Sequence, residues 1–153
     1  MSDPDDIRNF LRLSNRVTTS GKFSAGDPVR LAAMGARHVI NLAMPDHPEA
    51  LPDAERAMAE AELRYTAIPI PFDAPREQHY ASFRDALDRE DGPVYVHCIM
   101  NWRVSAFFYR YNRENGMPEA EARALLQRIW DPENFDYPNA DKWAAIAKGE
   151  ASD

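Results

Sequence analysis

Four short runs of β-branched and apolar residues, each followed by a stretch of helical character, constrain this chain more than any other feature. The runs are R-V-T-T-S-G (16–21), R-H-V-I-N-L (37–42), Y-T-A-I-P-I-P-F-D (65–73) and P-V-Y-V-H (93–97). β-branched and aromatic side chains suit a pleated, half-buried surface, and apolar runs this short read as strands. Between them the pattern changes. Asp27-Pro28 supplies a cap with proline at the first helical position, and V-R-L-A-A-M then stops at Gly35, where a helix end favours a residue free to take positive φ. D-A-E-R-A-M-A-E-A-E-L, from Asp53, is rich in the helix formers Ala and Glu. Arg76 to Asp88 places Tyr80, Phe83 and Leu87 on one helical face and is closed by Asp91-Gly92.

Beyond P-V-Y-V-H, Val104 to Tyr111 begins a mostly buried helix, and Gly116-Met117-Pro118 restarts another carrying Leu125, Leu126 and Ile129. Asn139 can cap a last helix holding Trp143 and Ile146. Pro69 and Pro71 put the end of the third run in a loop or at an edge, because proline cannot donate to a ladder. Near the N-terminus, Ile7, Phe10 and Leu11 have the spacing of a weakly amphipathic helix. Strands alternating with helices predict an α/β fold in three layers, a mainly parallel central sheet of about four or five strands flanked by helices on both faces. The 153 residues suffice for one domain with its own core, spanning 1–153 with short flexible ends.

Composition removes several function classes. A net charge of −7 argues against a nucleic-acid-binding face, which needs cations to displace counterions. No apolar run approaches the roughly 18–20 residues needed to span a bilayer, and the opening M-S-D-P-D-D-I-R is acidic and unlike a signal, so membrane insertion is not expected and a cytoplasmic location is. Cys98 is the single cysteine, which leaves no internal disulfide to form. His38, His47 and His79 have no metal-ligand spacing to one another or to Cys98, so neither a metal nor another cofactor is expected.

In sheets of this kind ligands collect at the carboxyl ends of strands, where loops lead into helix N-termini. Cys98 follows P-V-Y-V-H directly, and C-I-M-N-W-R links that strand to the next helix. A helix beginning near Arg103 presents unpaired N–H groups and the positive end of its dipole, which favour an anion in the loop and the thiolate form of a cysteine. Arg103 adds a planar fork of donors matched to oxyanions. His97 can orient the loop through its ring nitrogens. A cysteine after an apolar strand is ordinarily a core residue; the trio of His97, Cys98 and Arg103 points instead to anion or thiol chemistry.

With these residues the chain resembles the cysteine-dependent phosphatases of the protein-tyrosine and dual-specificity type, in particular a bacterial group of phosphatase-like domains. The resemblance covers most of the chain and rests on R-V-T-T-S-G, H-V-I-N-L, Y-T-A-I-P-I-P-F-D and V-Y-V-H-C-I-M-N-W-R ahead of a helix. It implies hydrolysis of phosphate monoesters, on a phosphorylated small molecule or a phosphoprotein, through a cysteinyl-phosphate. Cys98 is then the nucleophile, Arg103 the clamp on the equatorial oxygens, and His97 the orienting neighbour, with Ile99, Met100, Asn101, Trp102, Val104 and Ser105 forming the substrate-binding loop and its exit. Asp73, just after I-P-I-P-F, matches the general acid, with Asp46 as the fallback.

The loop departs from that family in having four residues between cysteine and arginine where five are usual. It contains no glycine, and Val104 follows the arginine, with a hydroxyl one place later at Ser105. Asn101 is the residue most able to replace glycine, because its short side chain tolerates left-handed backbone angles. The four-residue spacing equals that common in rhodanese-type sulfurtransferases, so a persulfide on Cys98 is an alternative, as is a phosphate-binding module with little or no turnover. Oxidation of Cys98 would be a regulatory overlay. Asp73 can also be read as a cap for the helix that follows, Trp102 as a packing residue walling the loop, and Lys22 as a solvated side chain or one approaching a phosphate. The physiological substrate and oligomeric state stay open.

Overall fold

Five strands form one sheet in the order β1-β2-β5-β3-β4. They are β1 (Leu11–Arg12), β2 (Val17–Ser20), β3 (His38–Asn41), β4 (Arg64–Ala67) and β5 (Val94–His97). β2, β5, β3 and β4 run parallel, and β1 lies antiparallel on β2. Ser14 makes that reversal, its Oγ accepting the N–H groups of Arg16 and Val17 at 3.2 and 3.0 Å. The computed structural model describes residues 3–150. The flexible ends expected of the chain fall on residues 1–2 and 151–153, outside the described residues.

The helices are α1 (Asp27–Ala33), α2 (Ala54–Glu60), α3 (Glu77–Asp88), α4 (Trp102–Glu114), α5 (Glu119–Gln127) and α6 (Ala140–Ala147). The period-2 alternation of the strands sorts them into layers. Val39 and Tyr95 face one way and pack with Leu31 of α1 and Met58 of α2. Ile40, Val94 and Val96 face the other way, onto Phe83 and Leu87 of α3, Phe107 of α4, Ala122 of α5 and Trp143 of α6. Full burial of a side chain such as Ile40, Leu42 or Phe83 contributes about 1.5–3 kcal/mol. This is the expected three-layer α/β fold, with the edge strand β4 running into Ile68-Pro69.

Several local expectations shift. Ile7, Phe10 and Leu11 do not form a helix: Asn9 takes a positive φ of 50°, Leu11 enters β1, and Ile7 is buried on the α1 side of the sheet. Asp27 is the first residue of α1 rather than its cap, Gly26 holding the cap position, and the Asp27 carboxylate accepts the Ser24 N–H at 2.7 Å. α3 ends at Asp88, ahead of Asp91-Gly92, and Ile129 lies just past α5. Asn139 occupies the cap position of α6 with φ 71° but makes no side-chain cap bond. At the amino end of the sheet Glu90 is buried, and the Gly92 N–H, with Arg64 and His38, holds its carboxyl down at about 2.

Candidate active site

The sheet order puts β5 between β2 and β3, so both neighbours grip its carboxyl end. Leu42 N–H donates to the His97 carbonyl at 2.9 Å, and Cys98 N–H donates to the Ser20 carbonyl at 3.3 Å. Cys98 is fully buried at the point where the strand stops. α4 begins at Trp102, one residue before the arginine, so the loop proper is Cys98 to Asn101.

The peptide groups of this loop are sorted by polarity. The Cys98 carbonyl accepts from His97 Nδ1 at 3.3 Å, the Ile99 carbonyl from the Lys22 N–H at 2.9 Å, and the Met100 carbonyl from Asn9 Nδ2 at 2.8 Å. The Trp102 carbonyl accepts from Trp130 Nε1 at 3.1 Å. A trans peptide is planar, with C=O and N–H pointing to opposite sides. Carbonyls drawn outward therefore turn the N–H groups of Ile99, Met100 and Asn101 the other way. No acceptor among the described residues takes the N–H of Ile99, Met100, Asn101, Trp102 or Arg103. Unpaired donors at the foot of a thirteen-residue helix are chemically suited to receive an oxyanion.

Two residues permit this tight path. Asn101 adopts φ 65°, the left-handed angle its residue type tolerates, and its Nδ2 donates to the Asn9 carbonyl at 2.9 Å and to Thr19 Oγ1 at 3.0 Å. Gly21 lies beneath the Ile99 carbonyl. A Cβ there would overlap the Ile99 oxygen and sit 3.2 Å from the Arg8 oxygen.

His97 is buried, and its ring stacks on Phe23 with centroids 3.9 Å apart. A carbonyl can only accept, so the bond to Cys98 assigns the proton to Nδ1. Nε2 is buried with no partner among the described residues. Desolvation pushes the ring down to about 3, which keeps it neutral.

Arg103 is likewise buried, with Nε donating to the Ile70 carbonyl at 2.9 Å and its guanidinium 5.3 Å from the Phe72 ring. The same segment carries Asp73. Trp143 Nε1 donates to the Phe72 carbonyl and Lys142 Nζ to the Asp73 carbonyl, at 2.8 and 2.7 Å, which ties the segment to α6. Asp73 is exposed and does not cap α3, where Arg76 holds the cap position. Asp46 is exposed in the loop after β3.

Of the remaining residues, Ile99 is buried and Met100 half-buried. Val104 packs in the core, and Ser105 directs its Oγ to the Trp102 carbonyl at 3.2 Å, within its own helix. Trp102 walls the loop, stacked on Trp130 and ringed by Phe72, Phe135 and Tyr137. Arg8, Asn9, Thr19 and Glu49 escaped the sequence reading. They reach the loop from distant positions, and only the Gly21-Lys22 turn hinted that this side of the site mattered. Among the described residues no three His, Cys, Asp or Glu side chains gather as a metal-binding set, and no helix is long and apolar enough to cross a membrane.

No protein-family profile matches the sequence. A curated protein from Agrobacterium fabrum named beta-lactamase hydrolase-like protein is 24% identical over 137 residues, which make up 87% of this chain and 31% of that protein. The chain thus spans about a third of the length of that relative. Among solved structures, a phosphatase candidate (DUF442) from Shewanella putrefaciens CN-32 is 25% identical with a TM-score of 0.79, the match covering 96% of this chain and 93% of the other. A phosphatase candidate (nma1982) from Neisseria meningitidis Z2491 superposes with a TM-score of 0.71 at 17% identity, covering 92% of this chain and 97% of the other. A cysteine-to-serine form of P. aeruginosa TpbA in complex with pTyr gives 0.69 at 17% identity, covering 97% and 94%.

Proposed function

We propose that this chain, whose fold is that of the cysteine-dependent protein-tyrosine-phosphatase superfamily, is a phosphatase that hydrolyses phosphate monoesters through a cysteinyl-phosphate on Cys98. The observation that carries this reading is the sorted polarity of the loop: carbonyls occupied by protein donors, five N–H groups without acceptors among the described residues, and a buried thiol where the loop begins. The substrate is a phosphorylated small molecule or a phosphoprotein.

The phosphoryl oxygens lie against the loop amides and the Arg103 fork, donors fixed in place before the reaction and therefore most effective on charge that develops during it. The Cys98 thiolate attacks phosphorus. The S–P bond forms as the bond to the leaving oxygen breaks, and Asp73, in its acid form, gives that oxygen a proton. Water then attacks the phosphorus, surrendering a proton to the Asp73 carboxylate, and the S–P bond breaks to release phosphate and the thiolate. His97 stays neutral throughout and holds the Cys98 carbonyl away from the cradle.

The test is turnover of para-nitrophenyl phosphate, with trapping of a phosphate-sized mass increase on Cys98. Cys98→Ser should abolish both signals, and Asp73→Asn should slow turnover by about 10²- to 10⁴-fold, the usual contribution of a positioned acid. Turnover that survives Cys98→Ser, or none across a panel of phosphate esters, rejects the proposal. The four-residue spacing also suits a persulfide carrier. Loading of a sulfur atom on Cys98 from thiosulfate, without phosphate ester turnover, would select that reading instead.

A further inference from the structure

Lys22 follows β2, and Glu49 lies in the loop that follows β3. Since β5 sits between those strands, an ion pair joining the two residues crosses the carboxyl end of β5, where the loop at Cys98 starts. Lys22 Nζ is 3.4 Å from Glu49 Oε1, and Arg8 grips the same carboxylate with both terminal nitrogens, at 3.1 and 3.3 Å. Arg8 also places NH1 3.3 Å from Met100 Sδ, on the loop itself, while its carbonyl takes the Gly21 N–H at 2.7 Å. Two cations and one carboxylate thus meet beside the cradle, a local excess of positive charge in a chain of net charge −7.

The grip of Arg8 on Glu49 uses both forks, the arrangement that guanidinium groups use for carboxylate and phosphate alike. The Arg8, Lys22 and Glu49 side chains are 32%, 36% and 39% exposed, so solvent and solutes reach them. A partly exposed ion pair is weakly held and exchanges partners readily. Arg8 above all, and then Lys22, hold the Glu49 carboxyl below its ordinary range, so it is an ionised competitor at neutral pH.

We propose that Arg8 and Lys22 form a second oxyanion subsite, which an acidic group elsewhere on the substrate molecule occupies by displacing Glu49. This rests on the phosphatase reading, in that the substrate's scissile phosphate fills the cradle. It narrows the substrate class to phosphate esters that carry a second acidic group, and it makes Glu49 the residue that discriminates against esters without one.

The experiment is titration calorimetry of the Cys98→Ser protein with phenyl phosphate, 3-carboxyphenyl phosphate and 1,3-phenylene bisphosphate at one pH and salt concentration. Both ligands with a second acidic group should bind about tenfold more tightly than phenyl phosphate, the ratio that one added charge-assisted contact supports. Lys22→Met, which keeps the backbone N–H to Ile99, should lower the ratio, because Arg8 alone then holds the second group. Lys22→Arg should retain the ratio, and Glu49→Gln should widen it. Tighter binding of only the bisphosphate would assign the subsite to phosphate, and of the carboxylate alone to carboxylate. Equal affinities for all three ligands, or a ratio unmoved by Lys22→Met and Glu49→Gln, overturn the subsite. Binding with the expected ratios by a protein that turns over no ester would reject the phosphatase reading and keep the subsite; absence of binding by any of the three overturns both.

Discussion

Acidification from pH 7 to pH 5 should weaken the fold through His97, and the size of the effect follows from its surroundings. Burial without a partner at Nε2 holds the folded-state ring at about 3, whereas histidine in an unfolded chain titrates at about 6.5. Between those values the unfolded chain binds a proton that the folded chain does not. Stability that is fully present above the unfolded value is therefore lost as pH falls through the window, and the loss stops growing near the folded value. Each pH unit inside the window costs about 1.4 kcal/mol, and integration from pH 7 to pH 5 gives about 2 kcal/mol. Glu90 does not confuse the measurement. Its carboxyl is held at about 2, so its contribution is lost mainly below the ordinary carboxylate range, outside this window. The assay is urea unfolding at pH 7, 6 and 5 of the native chain and of His97→Asn, in which an amide replaces the Nδ1 donor without a titrating group. The native chain should lose about 2 kcal/mol more than the variant over this range. Parallel losses would show that the folded ring accepts a proton, and the assignment of a neutral Nδ1–H tautomer would fall with them.

Two further outcomes probe the loop. Gly21→Ala should displace the Ile99 carbonyl, because a Cβ there overlaps that oxygen and meets the Arg8 carbonyl as well; phosphate affinity measured by calorimetry should fall while helix content by circular dichroism stays native. Asn101→Gly should cost about 2 kcal/mol for two lost hydrogen bonds, and Asn101→Ala a further 1–2 kcal/mol for the left-handed backbone, read from denaturant midpoints; an alanine variant as stable as the glycine variant would refute the role given to φ.

The central strands and most helices were legible because their signals are local. V-Y-V-H and H-V-I-N-L carry the alternation that sorts Tyr95 and Val39 to one face and Val96 and Ile40 to the other. Asn101 was legible for the same reason, since its residue type alone suggested the left-handed turn. The N-terminal segment was not. Ile7, Phe10 and Leu11 have helical spacing, but the chain there is shaped by partners far along the sequence: Gly21 takes the Arg8 carbonyl, while Asn9 and Asn101 each bond the other's strand of backbone. The two asparagine bonds cross more than ninety positions, and pairings of this kind leave no periodic trace. Ser105 shows the opposite limit. Its position near Arg103 was visible, but whether its hydroxyl faces the loop or its own helix depends on a rotamer, and it bonds the Trp102 carbonyl.

Trp102, the first residue of α4, lies nearly parallel to Trp130, the planes 6° apart and the centroids separated by 4.8 Å. Indoles stacked this closely share their electronic excitations, so their near-ultraviolet dichroism arises from the pair and depends on the angle between the rings. The Trp102 carbonyl is also the acceptor for Trp130 Nε1, which locks that angle to the backbone at the loop's exit. A shift of the loop on taking up an anion must then alter the paired signal. The site carries its own optical reporter and can be followed in unlabelled protein.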